Sequence, residues 1–201
     1  MNGFICIREI KFFVCSAHIT LASKKQTMTS QPLIRKGVVE DAECLSALGT
    51  QVWLGTYATD GINREISNHL LTEFNPENFK LSLANRNSPI FIAEVNHHVI
   101  GYAFLKLDEP WQTNNKWDVE LATLYVHENF VRSEVGSALL DQCQKYVREQ
   151  EVNAKIWLTV NAANSRAINF YRKHRFEQSG VTYFILGNAK HENFVFLETK
   201  V

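Results

Sequence analysis

The chain lacks an excess of charge of either sign, since 21 Lys and Arg residues balance 21 Asp and Glu residues. A protein without a net basic charge has no long-range field that attracts nucleic acid or an anionic membrane surface. The composition therefore predicts neither a nucleic-acid partner nor a membrane partner. At 201 residues and 45% hydrophobic content, the chain is long enough for one substantial core and short for two domains.

Cysteine is also scarce, with four residues and no Cys-x-x-Cys spacing. Without paired cysteines, the sequence predicts neither a disulfide framework nor a zinc site. The adjacent His97 and His98 have no third ligand nearby, and we interpret them as residues of a turn. No metal is therefore predicted, and thiols in the reduced state indicate a cytoplasmic protein. The four cysteines are Cys6, Cys15, Cys44 and Cys143.

The apolar stretch near the N-terminus, Phe12–Ala22, is too short to cross a bilayer, and it contains His18. Its composition is a poor match to a signal peptide. We expect residues 1–27 to be an extension outside the fold, and residues 28–201 to form one domain that begins near Met28. A cleaved leader or a membrane anchor is the alternative interpretation of the same segment.

The apolar spacing along the chain predicts mixed helices and strands. Leu33–Arg35 predicts a strand, Val39–Leu48 has helical spacing, and residues 51–88 predict a helical segment of variable sequence. Two hairpins are predicted from β-branched and apolar runs around polar turns. The first pairs Ile90–Val95 with Val99–Leu105, and the closing one pairs Val181–Leu186 with Phe194–Leu197.

A buried strand that runs through a short loop into a helix is the most informative feature of the chain. Val119–Val126 is typical of such a strand, and apolar residues at every fourth position from Val135 to Val147 predict an amphipathic helix with Cys143 in the core. A helix N-terminus offers unpaired backbone N–H groups and the positive end of a dipole. The junction therefore predicts a binding site for an anionic cofactor.

Two motifs flank this junction. The first is Glu120-Leu121-Ala122-Thr123-Leu124-Tyr125-Val126, and the second is Asn164-Ser165-Arg166-Ala167-Ile168-Asn169-Phe170-Tyr171. On these residues the chain resembles the GNAT superfamily of acetyl-CoA-dependent N-acetyltransferases, whose patterns are Glu-Leu-x-x-Leu-Tyr-Val and Asn-x-x-Ala-x-x-Phe-Tyr. The resemblance extends from about residue 33 to the C-terminus, judged by the order of the elements.

Two further family patterns, Gln/Arg-x-x-Gly-x-Gly/Ala and a Gly-Phe pair, are altered here. Val131 replaces the Gln or Arg, Glu134 replaces the first Gly, and only Gly136 is kept. Arg175 precedes Phe176 in place of the last Gly. A carboxylate in a phosphate-binding loop weakens anion binding, so a non-catalytic module that senses acyl-CoA or binds a protein is the alternative to an enzyme.

The resemblance implies an α/β fold of the α+β type, with a central mixed, mostly antiparallel β-sheet and helices on both faces. It also implies two central strands that splay apart, and acetyl-CoA as the acyl-donor substrate. The residues that it assigns to acetyl-CoA lie on the first motif, the altered loop, the helix after it and the second motif. They are Leu124, Tyr125, Val126, Val131, Arg132, Ser133, Glu134, Val135, Gly136, Ser137, Asn164 and Tyr171.

Two residues are candidates for proton transfer. Tyr171 occupies the position of the family's usual acid, which protonates the departing thiolate; a core aromatic is the alternative interpretation. Glu120 is the candidate base, acting through a water, because a carboxylate in a buried strand must pair or titrate upward. A structural carboxylate that orders the acceptor loops is the equally weighted alternative.

The acceptor is expected to be a primary amine, either a small or polyamine-like molecule or the N-terminus of a peptide. We expect the helical segment over residues 51–88 to cover the acceptor site, with Trp53 and Tyr57 contacting the substrate together with Glu120. The sequence leaves the oligomeric state open, with a homodimer as one possibility.

Overall fold

The structure is a computed structural model that describes residues 31–58, 60–107, 109, 118–151, 153–187 and 189–199. The expected extension 1–27 lies outside these described residues. The helices are α1 (Ala42–Tyr57), α2 (Arg64–Glu73), α3 (Pro76–Ala84), α4 (Val135–Gln150) and α5 (Ser165–Lys173). The strands are β1 (Leu33–Lys36), β2 (Ile90–Val95), β3 (His98–Lys106), β4 (Val119–Val126), β5 (Ile156–Asn161), β6 (Phe176–Leu186) and β7 (Ala189–Glu198).

The strands form a seven-stranded sheet in the order β1-β2-β3-β4-β5-β7-β6. All neighbours are antiparallel except the parallel pair β4 and β5. These two strands pair only where Val119 meets Ile156 and Glu120 meets Trp157, although β4 continues to Val126 and β5 to Asn161. The predicted mixed sheet is confirmed, and its centre contains an open seam between β4 and β5.

Helices cover both faces of the sheet, as predicted. In β2, Phe91 and Ala93 pack into the cluster that includes α4, whereas Ile90 and Ile92 pack into the cluster that includes α1 and α3. This alternation is the period of two that a strand imposes. The four apolar α4 positions are buried, which confirms the predicted helix and places Cys143 in the core: Val135, Leu139, Cys143 and Val147.

The variable segment forms the end of α1 and then α2 and α3. Asn63 begins α2 by accepting a hydrogen bond from the Ile66 N–H at 2.9 Å, and Asn75 begins α3 in the same way from the Glu77 N–H at 2.9 Å. Asparagine is favoured at this position because its oxygen satisfies a free helical N–H. No helix in the described residues is long and apolar enough to cross a membrane.

The closing hairpin is longer than predicted. β6 begins at Phe176, and the polar stretch Glu177-Gln178-Ser179 belongs to the strand. Polar residues at the start of an edge strand resemble a loop in sequence, but here the strand is held by pairing with β7 and by the fully buried Phe176 ring. The closing hairpin therefore begins at Phe176, soon after the end of α5.

Candidate active site

The open seam exposes one backbone edge of β4. On its other edge β4 pairs with β3, where Leu124 lies opposite Ala103 and Tyr125 opposite Tyr102. The register shifts between the pairs Phe104–Thr123 and Leu105–Leu121, so Ala122 forms a β-bulge. A bulge turns the strand locally and frees backbone groups from the ladder. The splayed strands and the bulge expected from the resemblance are both present.

Two clefts open on the seam. The cofactor cleft, of about 450 Å³, lies between the ends of β4, α4 and α5, and includes Val131, Glu134 and Gly136. The acceptor cleft, of about 530 Å³, lies under α1, α2 and α3. Six residues line both clefts, so the two spaces meet at the seam: Tyr57, Leu124, Tyr125, Asn164, Ala167 and Tyr171.

The N-terminus of α4 points its free backbone groups at the cofactor cleft. The Ala138 N–H donates the first helical hydrogen bond, at 2.9 Å to the Glu134 carbonyl. The N–H groups of Gly136 and Ser137, which line the cleft, precede that bond and are open to an anion, whereas Val135 is fully buried. Gly136 lines the cleft, and a Cβ there would lie 3.5 Å from the Phe170 ring.

Glu134, which replaces a family glycine, adopts a backbone conformation that favours glycine. Its φ of 63° lies in the left-handed region, as does the φ of 72° at Arg132 two residues before it. Arg175, which also replaces a family glycine, has φ of 64°. Glu134 and Arg175 therefore retain the local geometry of the glycines they replace, and side chains rarely adopt it without cost.

The loop serines are engaged within the protein. The Ser133 hydroxyl donates to the Phe130 carbonyl, and the Ser137 oxygen lies 3.0 Å from Nε2 of His174. Burial lowers the pKa of His174, which favours the neutral imidazole. Positive charge comes instead from Arg132, Arg166 and Lys173, which line the cofactor cleft with Glu134. Three cations against one carboxylate fit an anionic ligand.

Tyr171 lies where the two clefts meet. Its side chain is 8% exposed and packs edge-on against Phe170 and Phe176, at ring distances of 5.3 Å and 5.8 Å. Burial raises the pKa of the phenol well above its ordinary value. Asn164, which lines both clefts, accepts a hydrogen bond from the Ala167 N–H at 3.0 Å and caps α5.

Glu120 lies at the closed end of the seam and lines the acceptor cleft. Burial raises the pKa of its carboxyl, and Lys106, whose Nζ lies 3.7 Å from Oε2, opposes that effect. The carboxylate is therefore both paired and shifted upward, which are the two outcomes expected for an acid in a buried strand. Among the described residues, no group of acids, histidines and cysteines is arranged to hold a metal.

Aromatic rings form one wall of the acceptor cleft. Trp53 is buried and contacts Tyr57 and His69, at ring distances of 5.1 Å and 4.8 Å. Phe184 of β6 reaches His69 at 5.4 Å. Burial lowers the pKa of His69, with Glu73 opposing the shift, so the ring is neutral at pH 7. Trp53 and Tyr57, the expected substrate contacts, both line this cleft.

Three further residues of this cleft were not predicted. His69 and Glu73 belong to α2, and their only sequence signal is their position in the segment over residues 51–88. Asn193 belongs to β7, and the pairing of β7 with β5 brings it to the cleft. Nothing in the local sequence indicates that position.

Comparisons with known proteins agree on the family. Residues 59–176 match the sequence model of the acetyltransferase (GNAT) family. An N-alpha-acetyltransferase from Sulfurisphaera tokodaii is 28% identical over 115 residues, which cover 51% of this chain and 68% of that protein. An uncharacterised N-acetyltransferase from Lactobacillus delbrueckii subsp. lactis is 24% identical over 152 residues, which cover 74% of this chain and 86% of that protein.

Solved structures share the fold. The PaiA N-acetyltransferase from Thermoplasma acidophilum, solved in complex with coenzyme A, matches with a TM-score of 0.69 at 22% identity, covering 85% of this chain and 100% of that chain. The ribosomal-protein-S18-alanine N-acetyltransferase from Escherichia coli matches with a TM-score of 0.60 at 16% identity, covering 83% and 92%. The chain therefore belongs to the acetyltransferase (GNAT) family, and its enzyme class is acetyl-CoA-dependent N-acetyltransferase.

Proposed function

We propose that the protein transfers an acetyl group from acetyl-CoA to a primary amine, carried by a small or polyamine-like molecule or by a peptide N-terminus. One observation carries the proposal: a cleft with cationic walls and a cleft with aromatic and acidic walls meet at the seam, beside the backbone of Leu124 and Tyr125 and the phenol of Tyr171. That geometry brings the thioester of the anionic acetyl-CoA molecule and an amine together.

Acetyl-CoA would lie in the cofactor cleft with its pyrophosphate at the N-terminus of α4. The backbone N–H groups of Gly136 and Ser137 and the side chains of Arg132 and Arg166 supply the attraction. Glu134 opposes it: a carboxylate about 5 Å from a phosphate, at an effective dielectric of 20 to 80, costs about 1 to 3 kcal/mol. Binding is weakened by about tenfold to a hundredfold and not abolished.

The acceptor amine attacks the thioester carbonyl directly. A backbone N–H of β4 at the seam polarises the carbonyl oxygen, in the manner of an oxyanion hole. Glu120 takes the proton from the amine through a water, the carbon–sulfur bond breaks, and Tyr171 protonates the departing thiolate. The amide and free coenzyme A are the products, and solvent returns the proton to Tyr171.

The charges of the acceptor cleft favour a cationic acceptor. Among the described residues, Glu73 and Glu120 line it with one cation, Lys106, and His69 is neutral at pH 7. Aromatic rings such as those of Trp53 and Tyr57 attract alkylammonium groups through their faces. An amine that enters as an ammonium ion can lose its proton to Glu120 at the seam.

Calorimetric titration of acetyl-CoA into the protein, followed by an assay of thiol release with a panel of primary amines, tests this function. Micromolar binding and amine-dependent thiol release would support it. Glu134 at the start of α4 is the one observation that favours the non-catalytic alternative. Binding without thiol release would favour that alternative, and absence of acetyl-CoA binding would contradict the proposal.

A further inference from the structure

The register of the sheet places Asn193 on the floor of the acceptor cleft. It lies opposite Asn161 of β5 and Thr182 of β6. Residues that pair across antiparallel strands share a face, and so do residues two positions apart. Phe184, two positions from Thr182, lies on that face, and both Phe184 and Asn193 line the cleft beside His69.

The side-chain oxygen of Asn193 is buried and has no hydrogen-bond partner among the residues that the structure describes. Nearly every buried polar atom in a native protein is paired, because leaving one unpaired opposes folding. Asn161, its neighbour, shows the normal case, since its oxygen accepts the Ala163 N–H at 2.8 Å. An unpaired oxygen at the floor of a binding cleft is explained if a ligand supplies the donor.

We propose that Oδ1 of Asn193 accepts a hydrogen bond from a second donor group on the acceptor molecule, and so selects amines that carry an N–H or O–H group distant from the reacting nitrogen. The inference rests on the proposed function and adds a specificity-determining residue to it. β5 separates β7 from β4, and β4 and β5 diverge at this end, so Asn193 lies farther from β4 than two ordinary strand spacings, about 10 Å. The donor is therefore at the far end of the acceptor.

The nature of that donor follows from the surroundings. The rings of His69 and Phe184 keep the floor apolar, which strengthens a hydrogen bond made there. Glu73 lines the same cleft, so a second ammonium group is favoured over a hydroxyl. The acceptor class is a linear amine with a donor, preferably cationic, at its other end.

A matched series of five-carbon amines tests the role of Asn193. Pentylamine, 5-aminopentanol and 1,5-diaminopentane share the reacting amine and differ only in the distal group. In the wild type, kcat/KM should rise along the series, by about fivefold to tenfold at each step, as expected for one hydrogen bond and then a charged one. In Asn193→Leu the values for pentylamine and 5-aminopentanol should agree within about twofold, through KM, with the acetyl-CoA Kd unchanged.

Asn193→Asp tests the accepting role of the side-chain oxygen. A carboxylate keeps the acceptor oxygen and adds charge, so this variant should increase the preference for 1,5-diaminopentane over 5-aminopentanol. A preference that does not increase in Asn193→Asp, or an unchanged series in Asn193→Leu, would overturn the proposal.

Thermal unfolding gives a readout that does not depend on turnover. Asn193→Leu removes an unpaired buried oxygen, so its Tm should rise by about 3 °C, whereas Gln178→Leu, an exposed amide on β6, should change it by less than about 1 °C. An unchanged or lower Tm for Asn193→Leu would contradict the inference.

The failure of the proposed function would be distinguishable from failure of this inference. If no amine of the series is acetylated, the proposed function fails for this acceptor class. If 1,5-diaminopentane raises the Tm of the wild type and does not raise that of Asn193→Leu, the result would still support the hydrogen bond to Asn193. Equal protection of both proteins, or of neither, would overturn it.

Discussion

Tyr171 holds its proton throughout the ordinary pH range, because burial raises the pKa of its phenol above 10. Because the phenol stays protonated, its titration adds no decline of kcat with rising pH below about pH 10. Tyr171→Phe removes the proton and keeps the ring in the core, so kcat should fall by about a hundredfold, a typical contribution of a general acid. Steady-state kinetics at saturating acetyl-CoA measure the change.

Tyr146 provides the matched control for Tyr171. It lies on α4 and packs against Phe91 at a ring distance of 5.4 Å. Tyr146→Phe should leave kcat within about twofold of the wild type. A loss of kcat in Tyr146→Phe as large as that in Tyr171→Phe would mean that the effect comes from core packing and not from proton transfer.

Glu120 should impose an acidic limb on the pH profile of kcat/KM. As the base it must be ionised, and burial raises its pKa above the ordinary 4.5, so activity should rise with pH through a midpoint above 4.5. Lys106 lowers that pKa. Lys106→Met should therefore move the midpoint to higher pH, and Glu120→Gln should remove the limb and lower kcat by about a hundredfold.

The raised pKa of Glu120 also makes the stability of the fold depend on pH in a definite direction. A carboxyl whose pKa is higher in the folded state opposes folding once it is ionised, and has no such effect below its unfolded pKa. Glu120→Gln should thus unfold at a higher temperature than the wild type at pH 8, and the difference should vanish near pH 4. In the pH profile of kcat/KM, a midpoint that does not move in Lys106→Met would argue against Glu120 as the titrating base.

At the scale of elements, the loop before α4 combines backbone strain with an unfavourable charge. Glu134 has φ of 63°, where an L residue costs about 1 kcal/mol or more relative to glycine. Glu134 also lines the cofactor cleft, where its carboxylate would oppose the binding of an anion. Glu134→Gly should tighten acetyl-CoA binding by about tenfold to a hundredfold, as measured by calorimetry.

Glu134→Ala separates the two effects. It removes the same charge but keeps a side chain at positive φ, so it should gain most of the affinity and be less stable than Glu134→Gly by about 1 kcal/mol. Arg175→Gly is the second control, because Arg175 has the same backbone conformation while its carbonyl accepts the Thr199 N–H at 2.9 Å. It should leave the acetyl-CoA Kd unchanged. Equal affinities of the wild type and both Glu134 variants would show that the carboxylate does not face the phosphates.

Elements with a strong local pattern were predicted well. The period of apolar residues defined α4, and the β-branched runs defined β2 and β3 to within one residue. Glu134 and Arg175 stand where the family pattern has glycine, and the backbone keeps a positive φ there although the side chain differs. The end of α1 and the bounds of α2 and α3 were not predicted, because that segment packs over a cleft and has no continuous apolar stripe.

Contacts that depend on strand register could not be read from the sequence. Lys106 and Glu120 meet because β3 and β4 pair with a one-residue shift at Ala122. Asn193 reaches the acceptor cleft because β7 lies between β5 and β6, out of chain order. Local motifs in a single sequence predict the cofactor site. The floor of the acceptor site depends on long-range strand pairing, which a single sequence does not show.

At the scale of the whole molecule, both apolar clusters are built from residues between Ile34 and Phe196. We propose that residues 28–201 form the acetyltransferase domain. A protein that begins at Met28 should bind acetyl-CoA with a Kd within about twofold of the full chain and unfold within about 2 °C of it. Calorimetry and thermal unfolding of both proteins test this, and a tenfold loss of affinity would assign residues 1–27 a part in the site.

The pairing of β4 with β5 over two residues has a consequence for solubility. An ordinary open sheet has two edges, whereas this sheet has four, because the diverging parts of β4 and β5 each carry unpaired backbone groups. Exposed edges invite pairing with another chain and lead to aggregation. Here the two inner edges diverge beneath α1 and beside α4, so no added strand can pair with both. The protein can keep backbone donors free for its substrates without offering them to a second polypeptide.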